Sequence, residues 1–254
     1  MGKTFVIAEI GLNHNGDLGI TRKLIEIAGK AGCNAVKFQK RTVDLVYTDA
    51  ELKKPRKSPF GNTYGDSKRA LEFSLKDYKK IDGYCRKSGV SWFASCWDAA
   101  SVDFIDRFNP PFFKIASCFL GNRGLLSYTA AKKAPLILST GMSTDSQVRE
   151  AIDSAGREKI ANLMHCVSSY PCLPGELNLR RITSLKEKFR LETGYSGHCP
   201  RIIFFLAAVA LGARMIEFHI TLDRKMWGSD QSSSLEPGEV FSLLKGIREM
   251  EEAL

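Results

Sequence analysis

A single (β/α)8 barrel, the TIM-barrel fold of the α/β class, is predicted by three observations on this sequence. Eight short runs rich in β-branched and aromatic residues recur along the chain, and longer segments of helical periodicity separate them. The runs are close to continuously apolar, as strands are in a parallel sheet covered by helices. Eight such units in 254 residues are the length of one closed barrel, and no linker divides residues 1–254. An open doubly wound sheet is the alternative. It calls for a Gly-rich dinucleotide turn after the first strand, and Gly11-Leu-Asn-His-Asn-Gly16 lacks that form.

The first strand is expected at Phe5–Ile10. Leu18, Thr21, Leu24, Ile25 and Ala28 then mark one helix face, which stops at Gly32. After the second strand, Ala35–Gln39, residues 41–75 carry no clear period. In a barrel they form a βα loop on the catalytic face, of a length usually found in lids or disordered segments. Tyr78, Ile81, Tyr84 and Cys85 restore helical spacing up to Gly89, before strand three at Ser91–Ser95. Strands four to six are expected at Phe112–Ser117, Leu136–Thr140 and Ala161–Val167, with a helix through Val148, Ala151 and Ile152 between the last two. Strands seven and eight are Leu191–Ser196 and Met215–Thr221. The Ile203–Leu211 segment between them is apolar enough to be expected deep among its neighbours.

Bulk composition narrows the function classes. Hydrophobic residues at 44% and charged residues at 26% describe an ordinary globular enzyme-sized chain. The formal charge of +9 fits anionic small substrates. Its basic residues are scattered, the densest run being Lys53-Lys54-Pro55-Arg56-Lys57, expected as a solvated loop; no basic helix or aromatic stacking platform points to nucleic acid. Seven cysteines show no CxxC pair, and most sit in apolar runs as small buried hydrophobes. No signal-peptide pattern opens the chain, Val6 stands where a myristoylation signal after Met1-Gly2 needs Ser or Thr, and no apolar run suits a bilayer. A cytoplasmic location is expected.

In a barrel of this kind the strand ends carry the chemistry. Here they hold Glu9 with Asn13 and His14; Lys37 and Gln39; Ser95; Lys114 and Ser117; Ser139; His165 with Ser168 and Tyr170; Ser196 and His198; Glu217 and His219. A lone strand lysine is usually a snorkelling edge residue, and a lone histidine is usually a hydrogen-bonded core residue. Convergence alters that reading. All four histidines fall at the same ends of the strands, and two interior lysines are costly to bury unless an anion meets them. The set describes a pocket for a phosphate or carboxylate. His198 and His219, from adjacent strands, suit a divalent ion completed by water and substrate oxygens, with Glu9 as a third ligand or an acid–base group.

The blocks Phe5–Gly16, Val36–Gln39, Phe113–Ser117, Leu138–Met142, Leu163–Cys166, Gly194–His198, Ile216–His219 and Ser234–Pro237 resemble the sialic acid synthases, the N-acetylneuraminate synthase family, in order and spacing. The resemblance implies condensation of phosphoenolpyruvate with the aldehyde of an N-acetylated amino sugar, N-acetylmannosamine or a related hexose, with release of phosphate. It implies that Lys37, Ser95, Lys114, Ser117 and Ser196 hold phosphoenolpyruvate and that Glu9 and Gln39 line the reaction centre. Ser168 and Tyr170 join the substrate site, and Asp230 contacts the acceptor. His198 and His219 would hold the metal, Mn²⁺ foremost, with Mg²⁺, Co²⁺ or Zn²⁺ as alternatives. A metal-dependent aldolase acting on a phosphorylated substrate and a non-catalytic sugar-binding barrel are the competing readings.

Four departures from the family pattern carry expectations. Cys118-Phe119 stands where members commonly have Gly-Glu, which predicts altered acceptor recognition. Gly197 replaces an Asp before the seventh-strand histidine, which predicts weaker support for His198, and Ser168 replaces an Asn. The sequence ends at Leu254, without the C-terminal antifreeze-like domain that in many members reaches across a dimer. A barrel-only member is therefore expected, as a homodimer and with a separate cap-domain protein as a further partner.

Overall fold

The computed structural model describes residues 3–254; Met1 and Gly2, where the question of myristoylation arises, lie outside them. Eight parallel strands close into a barrel: β1 (Phe5–Gly11), β2 (Ala35–Lys40), β5 (Ser91–Cys96), β6 (Phe113–Ile115), β7 (Leu136–Ser139), β8 (Ile160–Cys166), β9 (Thr193–Gly197) and β10 (Met215–His219). Going round, the order is β1-β10-β9-β8-β7-β6-β5-β2. Each expected strand is present within a few residues. The fourth ends at Ile115 and leaves Ser117 in a 3-10 turn, Ser117–Phe119.

Alternation along each strand sorts side chains between two cores. Val6, Ala8 and Ile10 of β1 face outward into the large apolar layer beneath the helices. Inward, Ile7, Ala35, Phe93, Ile137, Met164 and Met215 form a separate plug, with Phe5 and Phe112 packed against it. Those two rings meet edge-on at 5.6 Å, and Phe112 meets Phe93 at 5.7 Å. Two residues beyond six of these eight stand Glu9, Lys37, Ser95, Lys114, Ser139 and Glu217, so a polar layer rests directly on the apolar plug.

Helices cover the outside. The expected stripe is the buried face of α1 (Leu18–Ala31), capped by Asp17 and ended by Gly32 at φ +89°. The helix before strand three is α5 (Leu75–Ser88), which packs along α1. They approach closely because position 29 has no side chain: a Cβ there would lie 2.5 Å from the Ser88 carbonyl oxygen. After β5, β6, β7, β8, β9 and β10 come α6 (Ala99–Asp106), α7 (Arg123–Ala130), α8 (Asp145–Ala155), α9 (Arg181–Phe189), α10 (Ile202–Ala210) and α11 (Pro237–Ala253). Among the described residues no helix is long and apolar enough to cross a membrane. Six of the seven cysteines are buried, and Cys118 is exposed.

Two expectations are corrected. Residues 41–75 are not irregular. They contain α2 (Val43–Val46), α3 (Asp49–Leu52), a hairpin of β3 (Pro55–Ser58) and β4 (Gly61–Thr63), and α4 (Tyr64–Ala70). Capping boxes at Thr48/Glu51, Thr63/Asp66 and Ser74/Asp77 start α3, α4 and α5, compensating in the first two for elements too short to show a period. The basic run 53–57 thus enters a hairpin rather than a plain loop. Nor is α10 deep: Phe205, Ala208 and Val209 are buried, but Ile203 is 59% exposed, because one helix face is all the barrel offers.

Gly29→Ala is expected to lower stability, since overpacking costs about 1–3 kcal/mol against a gain of at most about 1 kcal/mol in helix propensity. Gly83→Ala, in α5 with nothing within 4 Å of its Cβ, is expected to raise Tm by roughly 2–4 °C. Thermal melts of the two variants check both; a stabilised Gly29→Ala would mean that α1 and α5 are not this close.

Candidate active site

The polar layer is a set of compensated charges. Lys37 Nζ lies 2.8 Å from Glu9 Oε2, donates to Ser95 Oγ at 2.9 Å and stands 3.9 Å from Glu217 Oε1. Lys114 Nζ donates to Glu217 Oε2 at 2.8 Å, and Ser196 Oγ donates to Glu217 Oε1 at 2.9 Å. All four charged side chains are buried. They come from β1, β2, β6 and β10, and parallel register sets Glu9 beside Lys37 and Glu217 beside Ser196.

Burial opposes ionisation of Glu217, but the ammonium groups of Lys114 and Lys37 outweigh it and hold its carboxyl well below the usual carboxylate range. Burial likewise opposes the charge on Lys37, and Glu217 with Glu9 more than restores it. Lys114 comes out lower than an ordinary lysine: burial leads, Glu217 pulls the other way, and Lys37 adds repulsion. One carboxylate is shared by two ammonium groups, so Lys114 is the less fully compensated of the pair.

Gln39 Nε2 donates to Glu9 Oε1 at 3.2 Å, and Gln39 Oε1 accepts from Arg41 Nη2 at 2.5 Å. Opposite them, Ser117 Oγ accepts the Gly141 amide at 3.1 Å and touches Cys166 Sγ at 2.9 Å.

Above this layer stand the imidazoles. His198 Nδ1 is 2.6 Å from the Val167 carbonyl oxygen, a contact that requires the proton on Nδ1 and leaves the Nε2 lone pair free. Burial, then the neighbouring His219, pushes the His198 pKa down to about 4, so the ring is neutral at ordinary pH. The His219 ring centroid is 5.3 Å away, and its buried Nδ1 has no hydrogen-bond partner, with Asp230 Oδ2 at 3.7 Å. Tyr170 stacks on His198 at 4.0 Å. A neutral, oriented imidazole beside one with an orphaned nitrogen fits a divalent ion. Among the described residues no group of three or more His, Cys, Asp and Glu is arranged as a metal cage, so two imidazoles would be the protein's share. Glu9 is committed to Lys37 and Gln39 rather than to the histidines.

One cavity of about 310 Å³ gathers Glu9, Lys37, Gln39, Ser95, Lys114, Ser117, Ser168, Tyr170, Ser196, His198 and His219. Asp230 does not line it and lies behind His219. His14 and His165 are also outside it, which corrects the expectation of four converging imidazoles. His14 accepts from the Gly16 amide and stacks on Phe73 at 4.4 Å. His165 points outward, because Met164 and Cys166 take the inward positions of β8, and bonds the Leu177 carbonyl.

Glu217 is the chief residue that sequence reasoning left without a role. Its signal was present: two residues before His219 on one strand, hence on the same face. Trp97 was missed altogether and lines the cavity. Phe119 does not; it packs edge-on against Trp97 at 5.2 Å. At Gly197 a Cβ would lie 2.5 Å from the Phe205 ring, so no aspartate fits, and the Val167 carbonyl orients His198 instead.

Comparison with known proteins agrees with this geometry. Residues 24–254 match the NeuB family. The chain is 40% identical to N-acetylneuraminate-9-phosphate synthase of Homo sapiens, over 98% of this chain and 71% of that protein. It is 38% identical to N,N'-diacetyllegionaminic acid synthase of Campylobacter jejuni, over 100% of this chain and 78% of that one. The solved N-acetylneuraminic acid synthetase of Leptospira borgpetersenii superposes with a TM-score of 0.89 at 31% identity, covering 99% of this chain and 85% of that one.

Glu217→Gln is expected to cost about 3–5 kcal/mol of stability at neutral pH, because it leaves Lys114 buried and unpaired. The folded-state pKa of Glu217 lies below its unfolded value of about 4.3. Its contribution is therefore present above that value and is lost as pH falls through the folded one. Urea melts at stepped pH should show the gap between variant and wild type closing in acid; a gap that ignores pH would refute the pairing.

Proposed function

The chain belongs to the NeuB family, and from that premise we propose that it condenses phosphoenolpyruvate with the open-chain aldehyde of an N-acetylated amino sugar, N-acetylmannosamine or a related hexose. The products are a nine-carbon 3-deoxy-2-keto acid and inorganic phosphate. The chain is an enzyme of the synthase, transferase type, as its named relatives are. The observation that carries the reading is the pairing of a lysine–carboxylate floor with two imidazoles in one cavity.

Phosphoenolpyruvate is a polyanion, and the floor has donors left for it. An ammonium group has three N–H bonds. Lys37 spends two, on Glu9 and Ser95, and Lys114 spends one on Glu217. The remainder, with Ser95, Ser117 and Ser168 around them, hydrogen-bond and orient the phosphate and carboxylate, while Ser196 holds Glu217 in place. The net charge of the four paired groups is close to zero, so the donor anion is met by directed hydrogen bonds rather than by bare positive charge.

His198 and His219 would hold a divalent ion, Mn²⁺ foremost, which would supply Lewis acidity for polarising the acceptor's carbonyl group. C3 of the enol phosphate attacks the aldehyde carbon, and positive charge develops at C2. Glu9, fixed between Lys37 and Gln39, is the carboxylate available to stabilise that charge. Water adds at C2 and its proton passes to the alkoxide left by the aldehyde; the tetrahedral intermediate then expels phosphate, which takes the C2 hydroxyl proton and leaves the 2-keto group. Lys114 and the serines carry the departing charge. Tyr170 roofs the imidazoles and limits water there, and Asp230, its Oδ2 3.7 Å from His219 Nδ1, stands next to the imidazole pair. Exposed Leu45, Met142, Tyr170 and Leu173 make an apolar rim at this face, which supports a homodimer or a separate cap protein over the mouth.

Phosphate release from phosphoenolpyruvate with Mn²⁺ and a panel of aldehyde sugars tests the reading, and sugar-dependent release is expected. Aldehyde cleavage without phosphate release would make the chain a lyase instead. His219→Ala should abolish metal binding in calorimetry while leaving the far-ultraviolet dichroism unchanged. Lys114→Met should weaken phosphoenolpyruvate binding by about 2–5 kcal/mol, at least roughly thirtyfold; an unchanged affinity would remove that lysine from the donor site.

A further inference from the structure

Arg41 is the largest side chain buried to this extent in the molecule, 1% exposed, just past the end of β2. It does not line the cavity, yet both terminal nitrogens are hydrogen-bonded and Nε is ion-paired, though not hydrogen-bonded. Nη2 donates to Gln39 Oε1 at 2.5 Å, Nη1 to the Tyr47 hydroxyl at 3.1 Å, and Nε lies 3.0 Å from Glu72 Oε1. The guanidinium plane sits 4.0 Å from the Trp97 ring centroid. Two of these partners, Gln39 and Trp97, do line the cavity.

Burying a guanidinium is costly, and the compensation here is elaborate. Glu72 serves both Arg41 and Lys40, whose Nζ is 2.7 Å from Glu72 Oε2. Packing alone would not call for a charge at this position, since an apolar side chain would fill the same space more cheaply. What the charge adds is direction. A carboxamide has two nearly isosteric ends, one accepting and one donating. With its oxygen claimed by a cation, Gln39 turns its Nε2 towards Glu9 Oε1, and the second N–H is available to the cavity. The flipped amide would set its oxygen against the Glu9 carboxylate.

We propose that Arg41, braced on Trp97 by Glu72 and Tyr47, is a positioning residue that locks the Gln39 carboxamide as a hydrogen-bond donor to Glu9 and to the reacting substrate. The inference rests on the synthase reading for its catalytic consequence, but the amide orientation stands independently of it. In the reaction, a locked donor steadies Glu9 and meets negative charge that develops on substrate oxygen. Its loss falls on kcat more than on the binding of phosphoenolpyruvate, which the lysine floor secures. Glu72 and Tyr47 belong to the insertion after β2, so that segment reaches the chemistry through a single side chain.

Two measurements test this. The chain has three glutamines, Gln39, Gln147 and Gln231, so glutamine-selective ¹⁵N labelling gives three side-chain amide pairs, with Gln39 identified by its loss in Gln39→Ala. In Arg41→Met the Gln39 pair should shift and narrow its proton splitting, with Gln147 and Gln231 unmoved. Should Arg41→Met not fold, Arg41→Lys keeps the charge beside Glu72 but lacks the second arm, and should shift the same pair. An unmoved Gln39 pair overturns the proposal. In the kinetic arm, Arg41→Met should lower kcat by about 10- to 100-fold with KM for phosphoenolpyruvate within about threefold. In a Gln39→Ala background the same change should add less than about threefold, because the residue it acts through is gone. Full additivity overturns the proposal in favour of a general structural role. Absence of turnover with every sugar in the wild type would sink the synthase reading, while the amide spectrum would still decide the role of Arg41.

Discussion

Burial of two ammonium groups inside a barrel is the constraint on which the rest of this structure depends. A lysine in a closed sheet has no water to turn to, so its countercharge must come from a neighbouring strand at the right height. Glu9 meets Lys37 across the β1–β2 pair, and Glu217 meets Lys114 across the barrel's width. Shifting any of these strands by one residue would turn its charge outward into the apolar layer beneath the helices. The charge pairs therefore specify register as strictly as the apolar residues do.

Stacking follows from that constraint. Ile7, Phe93, Ile137, Met164 and Met215 close the bottom of the barrel and keep water from reaching the pairs from below. The polar layer stands two residues further along the strands, and the imidazoles of His198 and His219 stand higher still at the mouth. The order along the barrel axis is apolar plug, compensated charge, then the two imidazoles. Ammonium groups and imidazoles are thereby placed at different depths of one cavity, an arrangement consistent with the proposed condensation of two unlike substrates.

The insertion after β2 does not stand apart from this arrangement. Its Glu72 and Tyr47 hold Arg41, and Arg41 holds Gln39, so a segment without a visible period reaches the floor of the site. Trp97 closes the same corner, with Phe119 against its edge. Phe119 therefore borders the cavity only through Trp97, against whose edge it packs.

The sequence by itself determined the eightfold alternation, the strand-end positions of the polar residues and most of the polar side chains that line the cavity. It did so because period-two alternation and the rule that barrel chemistry sits at strand ends are both local. It also carried the family, through short blocks in a fixed order. Partner choice within the buried layer was not local. Lys114 and Glu217 are 103 residues apart, and nothing near either one announces the other. The same holds for His165, which sits at a strand end yet faces outward, and for Asp230, which reaches His219 instead of the cavity. Only closure of the barrel decides which way a side chain faces and which charge stands opposite it. Those are properties of strand register and shear, set by the packing of all eight strands together.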